Sequence, residues 1–304
     1  MKATRLWTRR PDPIKTWRLA CFGVAWFSLA WAALDIRMMF IFNIPLFPDA
    51  MVFWSAWHGP MYYPAASLEF TTFVYSPVAA LAFWPLAQLP QTAYLFVWTA
   101  LGTASYVWLL APLPRAARFP ALAAGFLFCV NGNIEWVLAL VAVVGMRWPA
   151  VWLVALFTKV APFMGFGWFV LRGEWRSVAL TAALAVALMV ASALILPGAW
   201  PTWVDTVRTL ALESSGKATY NSLMPPIPLA VRVAVAAVVL VWGARANRPV
   251  VLPLVLALVQ PDWQPWALGI LAAVPRLVAL QAQADRDDRV TAQPPVSESL
   301  VPGQ

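Results

Sequence analysis

The stretch LACFGVAWFSLAWAALDIRMMFIF, residues 19–42, decides the fold. It carries only one acid and one base, Asp35 and Arg37, and both lie near its far end. About 20 consecutive apolar residues are what a helix needs to cross the hydrocarbon core of a bilayer. Just before the stretch stand Lys2, Arg5, Arg9, Arg10, Lys15 and Arg18, and such basic clusters remain on the cytoplasmic side. Ala30-Trp31-Ala32 has the small-x-small form of a signal-peptidase site. The apolar run continues past it, so the segment reads as a permanent first span.

The remainder of the chain agrees. Of its 304 residues 62% are hydrophobic and 11% charged, whereas soluble domains hold about 45–50% and about 25%, which excludes an ordinary soluble enzyme. The 19 Trp, 17 Phe and 6 Tyr suit aromatic belts at two lipid–water interfaces. A β-barrel would show alternating segments of about ten residues instead of long apolar runs. The net charge of +8 resides in short loops between apolar segments, which sets membrane orientation and gives no case for nucleic acid as a partner. Cys21 and Cys129 have no metal-ligand spacing and His58 is the only histidine. Neither a histidine-based metal site nor a Ser-His-Asp triad is therefore expected.

Working outward, residues 43–75 are too broken by Pro and Gly to span and are expected outside. Residues 76–88 form a short juxtamembrane helix, and 91–112 a full span. Segments 119–130, 135–146, 148–158 and 162–171 are short, and would cross only as tilted helices where the membrane is thin. Residues 177–196 are a normal span, 197–226 an outer loop, and 227–242, 249–259 and 266–280 return twice more. This layout puts 16 of the 21 Lys and Arg on the inner side. The expectation is an all-α, multispanning transmembrane bundle of about ten crossings with both termini cytoplasmic. Its parts are a basic N-terminus (1–18), a membrane domain (19–280) containing an outer loop at 43–90, and a disordered polar tail (281–304).

Polar residues at the outer face are the candidates for chemistry. Asp49 follows Pro48 and precedes the apolar patch Met51-Val52-Phe53-Trp54, a patch suited to holding the segment flat on the membrane. Two readings of Asp49 stand: a helix cap after proline, or a reactive carboxylate. Asp35, two positions from Arg37, does not face it on a helix, and either points inward or sits at the interface. Glu69, Glu135 and Asp262 are second-rank carboxylates. Glu135 begins a short helix, a position that helix-terminus electrostatics alone would favour.

The pattern Pro48-Asp49-Ala50-Met51-Val52-Phe53-Trp54, then Gly59, Tyr62-Tyr63 and Phe73-Val74-Tyr75-Ser76-Pro77, closely resembles the first outer loop of glycosyltransferase family 87. That is a group of multispanning GT-C enzymes that includes polyprenyl-phosphate-mannose-dependent mannosyltransferases. Asn131-Gly132-Asn133, Thr158-Lys159-Val160-Ala161-Pro162 and Gln260-Pro261-Asp262-Trp263 resemble later turns of the family in the right order. The family's first Tyr-Pro-Pro proline is Ser76 here, and Gln264-Pro265 stand where the family has a histidine pair.

The resemblance implies a GT-C-like fold, Asp49 as the catalytic carboxylate, a polyprenyl-phosphate-linked sugar as donor, and a lipid or glycan as acceptor. Such a donor carries its own leaving group, so one base and some cations suffice, with no cofactor and no metal. Lys159 is the first choice for the donor phosphate, followed by Arg208, Lys217, Arg232 and His58. Interfacial snorkelling is the alternative for these cations. Tyr62, Tyr63, Tyr75, Asn131, Asn133, Glu135, Gln260, Asp262 and Trp263 are the expected cavity residues. A transporter or flippase, or an inactive scaffold, is the competing class.

Overall fold

The computed structural model describes residues 13–41, 43–44, 46–62, 73–214, 227–261 and 265–292. It is helical, with no strand among the described residues. Four segments are long and apolar enough to cross a membrane: Trp17–Ile41, Gln91–Leu110, Trp175–Ile195 and Trp266–Asp287. They belong to α1 (Pro13–Ile41), α4 (Gln91–Leu110), α9 (Trp175–Ile195), and a 3₁₀ stretch Pro265–Ala272 that runs into α13 (Ala273–Ala292). Trp26, Phe27, Phe40 and Ile41 of α1 and Leu180, Val186, Leu194 and Ile195 of α9 are exposed, as expected of surfaces that meet lipid.

Between them lie α2 (Pro48–Ser55), α3 (Pro77–Ala87), α5 (Arg115–Asn131), α6 (Glu135–Val144), α7 (Trp152–Thr158), α8 (Gly167–Leu171), α10 (Ala199–Ser214), α11 (Leu229–Arg245) and α12 (Leu252–Leu258). Several of these are about two turns long and cannot span alone. The count of about ten crossings is thus not met by ten long helices: α5 and α11 have 17 residues each, just short of the four that qualify. Two expected loops are also helical. The outer loop at 197–226 contains α10, and the tail expected to be disordered is helical through Ala292. In α10 Trp200 and Trp203 recur on one face, and Trp203 donates its indole N–H to the Val74 carbonyl at 3.0 Å.

Hydrogen bonds separate the molecule into two ends. At one, Arg118 donates to the Ala111 and Leu113 carbonyls, Arg276 to that of Trp108, and Arg172 to the Asn247 side chain. These acceptors lie in the last turn of a helix or just past its C-terminus, where cations are favoured. At the other end the chain brings together the C-terminus of α1, the start of α2, the α5–α6 turn, the end of α7 and the end of α12.

The core that fixes the second end is aromatic. Phe53 of α2 is fully buried, with ring centroids 4.5 Å from Tyr75, 4.3 Å from Phe83 and 5.5 Å from Trp98. The patch Met51-Val52-Phe53-Trp54 therefore turns Val52 and Phe53 into protein and leaves Met51 and Trp54 half-buried. Polar tips on this apolar face tie down main chain that would otherwise lack partners. Tyr94 donates to the Ala50 carbonyl, Trp54 to that of Leu89 and Trp57 to that of Ala80. Ser76 caps α3 by accepting from the Ala79 N–H and donates to the Phe157 carbonyl at 2.7 Å. Ser76 thus supplies a cap and a link to α7 that a proline at this position would have no hydroxyl to make.

Candidate functional site

The α5–α6 turn, Asn131-Gly132-Asn133, is the centre of the site. Gly132 lies at φ 88°, a left-handed conformation that ends α5. A Cβ there would approach the Ala50 nitrogen to 2.7 Å and the Phe47 Cα to 3.0 Å. Backbone thus meets backbone where α2 begins, and only glycine leaves room. Phe47 itself sits at φ 62° and donates its N–H to the Val130 carbonyl at 3.0 Å. Left-handed backbone is costly for a bulky residue, and this bond together with the Gly132 contact holds it there.

This packing delivers Asp49 to Asn133. The Asn133 amide donates to Asp49 Oδ2 at 2.9 Å, while its own Oδ1 accepts from the Glu135 backbone N–H at 3.2 Å. Asp49 occupies the first turn of α2 and is not its cap: Phe47 is the N-cap residue, and no side chain caps the helix. Of the two readings of Asp49, the capping one is therefore corrected.

Glu135 is fully buried. Its Oε1 lies 2.5 Å from Lys159 Nζ, and its Oε2 accepts from Gln260 Nε2 at 2.8 Å. Lys159 Nζ in turn donates to Gln260 Oε1 at 3.2 Å. Three side chains from three separate turns thus close a ring in which a buried carboxylate is fully paired, the condition under which burying charge is tolerated. Tyr75 is buried beside both carboxylates. Burial first, and then the charges of Asp49 and Glu135, push its phenol well above the ordinary range, so it remains protonated. Tyr62 is similarly raised by burial and donates to the Tyr75 carbonyl at 2.9 Å.

On the other side of the turn, the Asn131 amide donates to Asp35 Oδ2 at 2.9 Å. Asp35 thus points inward from α1. This pair was not foreseen, since no local spacing relates positions 96 residues apart.

The structure brings Asp49, Asn131, Asn133, Glu135, Lys159, Gln260, Tyr62 and Tyr75 to one end of the molecule. Other expected site residues go elsewhere. Arg232 is buried, but its guanidinium donates to the carbonyls of Ile227, Leu258, Gln260 and Pro261. It fixes the loop that presents Gln260 and does not reach out to a ligand from the surface. His58 is exposed, stacks on Trp54 with centroids 3.8 Å apart, and has Nδ1 2.9 Å from the Trp54 carbonyl, away from the ring. Arg208 is exposed on α10. Tyr63, Glu69, Lys217, Asp262 and Trp263 lie outside the described residues.

An apolar cavity of about 220 Å³ lies behind the cluster, between α1, α4, α5 and the start of α13. It runs from Trp17 and Cys21 to Tyr106 and Gly269. There a Cβ added to Gly269 would meet the Tyr106 hydroxyl and come within 3.4 Å of the Glu135 Cβ, so the inner end of the cavity lies near the apolar stem of Glu135. Among the described residues no group of His, Cys, Asp and Glu has the makings of a metal site.

Comparison with protein-family models, curated proteins and solved structures returns no match to this chain.

Proposed function

We propose that this is an integral membrane glycosyltransferase resembling family 87, with its active site at the Asp49 end. The observation that carries the reading is the joining of Asp49, through Asn133, to the Glu135–Lys159–Gln260 ring. A carboxylate suited to accept a proton and an ammonium suited to hold a phosphate are thereby set around one turn. The cluster forms at helix ends, not midway along long helices, which favours an enzyme over a transporter with intramembrane coupling groups. The finer layout belongs to the same proposal: about ten crossings in a GT-C arrangement, both termini cytoplasmic, and the Asp49 end extracytoplasmic.

Asp49 removes the proton of the acceptor hydroxyl while that oxygen attacks the anomeric carbon. The bond from that carbon to the phosphate oxygen breaks, and its electron pair leaves with the carrier phosphate, held by Lys159. One base opposite the leaving group gives a single displacement with inversion, in contrast to the paired carboxylates of a retaining mechanism. The apolar cavity ending at Gly269 is suited to the hydrocarbon part of a lipid-linked substrate. The donor is polyprenyl-phosphate-linked sugar, mannose on the family resemblance, and the acceptor a lipid or glycan.

The test is transfer from a polyprenyl-phosphate-mannose donor by purified protein and its Asp49→Asn variant. Transfer with inverted anomeric configuration, lost in the variant while donor binding persists, supports the reading. Movement of a solute that is indifferent to the donor lipid supports a transporter instead. Neither transfer nor donor binding by the wild type supports an inactive scaffold.

A further inference from the structure

A groove of about 710 Å³ runs along the exposed side of α4, distinct from the apolar cavity behind the polar cluster. Phe96, Ala100 and Ala104 of α4 and Phe126 of α5 line it, and it ends at Trp108 and Arg276. Positions 96, 100 and 104 share one helix face, and the two alanines leave a hollow beside the exposed Phe96 and Phe126 rings. The Thr99 hydroxyl on the same wall donates to the Leu95 carbonyl at 2.8 Å, so it needs no partner in the groove. From Phe96 to Trp108 the helix rises about 18 Å, enough for one hydrocarbon chain over the roughly 15 Å depth of a single leaflet.

Two arginines build the charged end. α4 qualifies as a span up to Leu110, so the carbonyls of its last turn stand at an interface, at the end of the molecule away from Asp49. Arg276 of α13 donates through Nη2 to the Trp108 carbonyl and lies over the Trp108 ring at 4.5 Å. Arg118 of α5 donates through Nη2 to the carbonyls of Leu113 and of Ala111, which also lines the groove. A guanidinium has five N–H donors, and these bonds leave several unused. In each arginine Nε is enclosed with no partner among the described residues, whereas Nη1 makes no hydrogen bond among them and is left at the surface. Neither arginine has a carboxylate within ion-pair distance among the described residues. Asp285 and Asp287 lie more than two turns further along α13. Two fixed cations therefore stand where the apolar groove reaches headgroup level.

We propose that this groove binds one anionic glycerophospholipid, with an acyl chain along Ala100 and Ala104 and the phosphate at Arg276 and Arg118. The bonds to main-chain carbonyls hold both guanidiniums in place before a lipid arrives, so little side-chain freedom is lost on binding. A lipid suits the groove better than a second copy of this chain. A two-fold contact through it would set the arginines of both copies at one depth, like charge against like. A zwitterionic headgroup also carries phosphate, but its own ammonium offsets the attraction, so the preference is for net negative charge. The site is separate from the transferase reading and does not depend on it.

The experiment titrates the purified full-length protein in detergent with phosphatidylglycerol and with phosphatidylcholine of the same chains, and counts bound lipid by native mass spectrometry. The wild type is expected to bind one phosphatidylglycerol at least about tenfold more tightly than phosphatidylcholine, since each arginine near the surface contributes about fivefold. Arg276→Gln, which keeps a donor for the Trp108 carbonyl, should cut that preference about fivefold. Arg118→Gln should do the same, and keeps the test decisive if the first variant fails to fold. Ala104→Trp fills the groove but leaves both arginines, and should weaken both lipids about tenfold. Equal binding of the two lipids by the wild type overturns the proposal, as does a preference that survives both arginine variants unchanged. Phosphatidylglycerol binding indifferent to Ala104→Trp shows attraction to charge without a chain site, and overturns it too. A dimer that Ala104→Trp dissolves assigns the groove to a second copy instead.

Discussion

Asp35 and Asp49 each accept a 2.9 Å hydrogen bond from an asparagine of the same turn, yet their surroundings differ. Asp35 lies on the long apolar α1, and Asn131 bonds it on the side facing Met39. Asp49 lies in the first turn of a two-turn helix, and its asparagine passes the connection on to Glu135, Lys159 and Gln260. One pair ends in hydrocarbon and locks a span to α5. The other opens into a polar ring with a partly exposed ammonium. An aspartate–asparagine pair by itself therefore says little, and what the asparagine's second polar atom touches says more: Asn133 Oδ1 has the Glu135 N–H, while Asn131 Oδ1 is buried without a partner among the described residues.

That contrast can be broken at several points. Asp49→Asn should lower transfer by about 10²–10⁴-fold with donor binding intact, whereas Asp35→Asn, measured in the same assay, should change it by less than about tenfold. Gly132→Ala forces a side chain into left-handed backbone and against the start of α2, so both pairs should be lost together. A destabilisation of about 2–4 kcal/mol is expected, read as a lower thermal unfolding temperature in detergent. Lys159→Met should raise the apparent KM for donor at least about tenfold with a smaller effect on kcat, since it removes the ammonium but leaves Asp49 and Asn133 in place. Asn131→Ala, which strips a donor from Asp35, should cost about 1–3 kcal/mol in stability with little change in donor KM. His58→Ala should leave transfer within about twofold of wild type, because the ring stacks on Trp54 outside the cluster.

Much of the site was legible beforehand because its residues are polar interruptions in an apolar chain. Asp49, Asn133, Glu135, Lys159 and Gln260 each stand at the end of an apolar segment, and such ends are where a membrane protein can keep polar groups. What could not be read was which of them meet. Arg232 and Lys159 look alike in sequence, each a cation beside an apolar helix, and only packing shows that one clamps carbonyls while the other pairs with Glu135. The helical character was equally legible, but the number of crossings was not. Segments such as α7 and α12 are as apolar as spans yet only about a third as long, and periodicity says nothing about whether such a piece crosses or stops inside the protein. The α10 helix was missed because prolines on either side masked its period, and the C-terminal extension of α13 because its polar composition matches both a solvated helix and a tail.

The polar ring has a consequence for how the molecule is made. Glu135 and Lys159 are 24 positions apart, but Gln260 reaches them from 125 positions beyond Glu135, held by Arg232. As the ribosome delivers the chain, the acid and the ammonium emerge close together and can neutralise one another early, long before their third partner exists. A protein cut off after α11 would carry Glu135 and Lys159, yet lack the Gln260 amide that completes the ring. The ring is thus completed only when the last helices of the chain have taken their places.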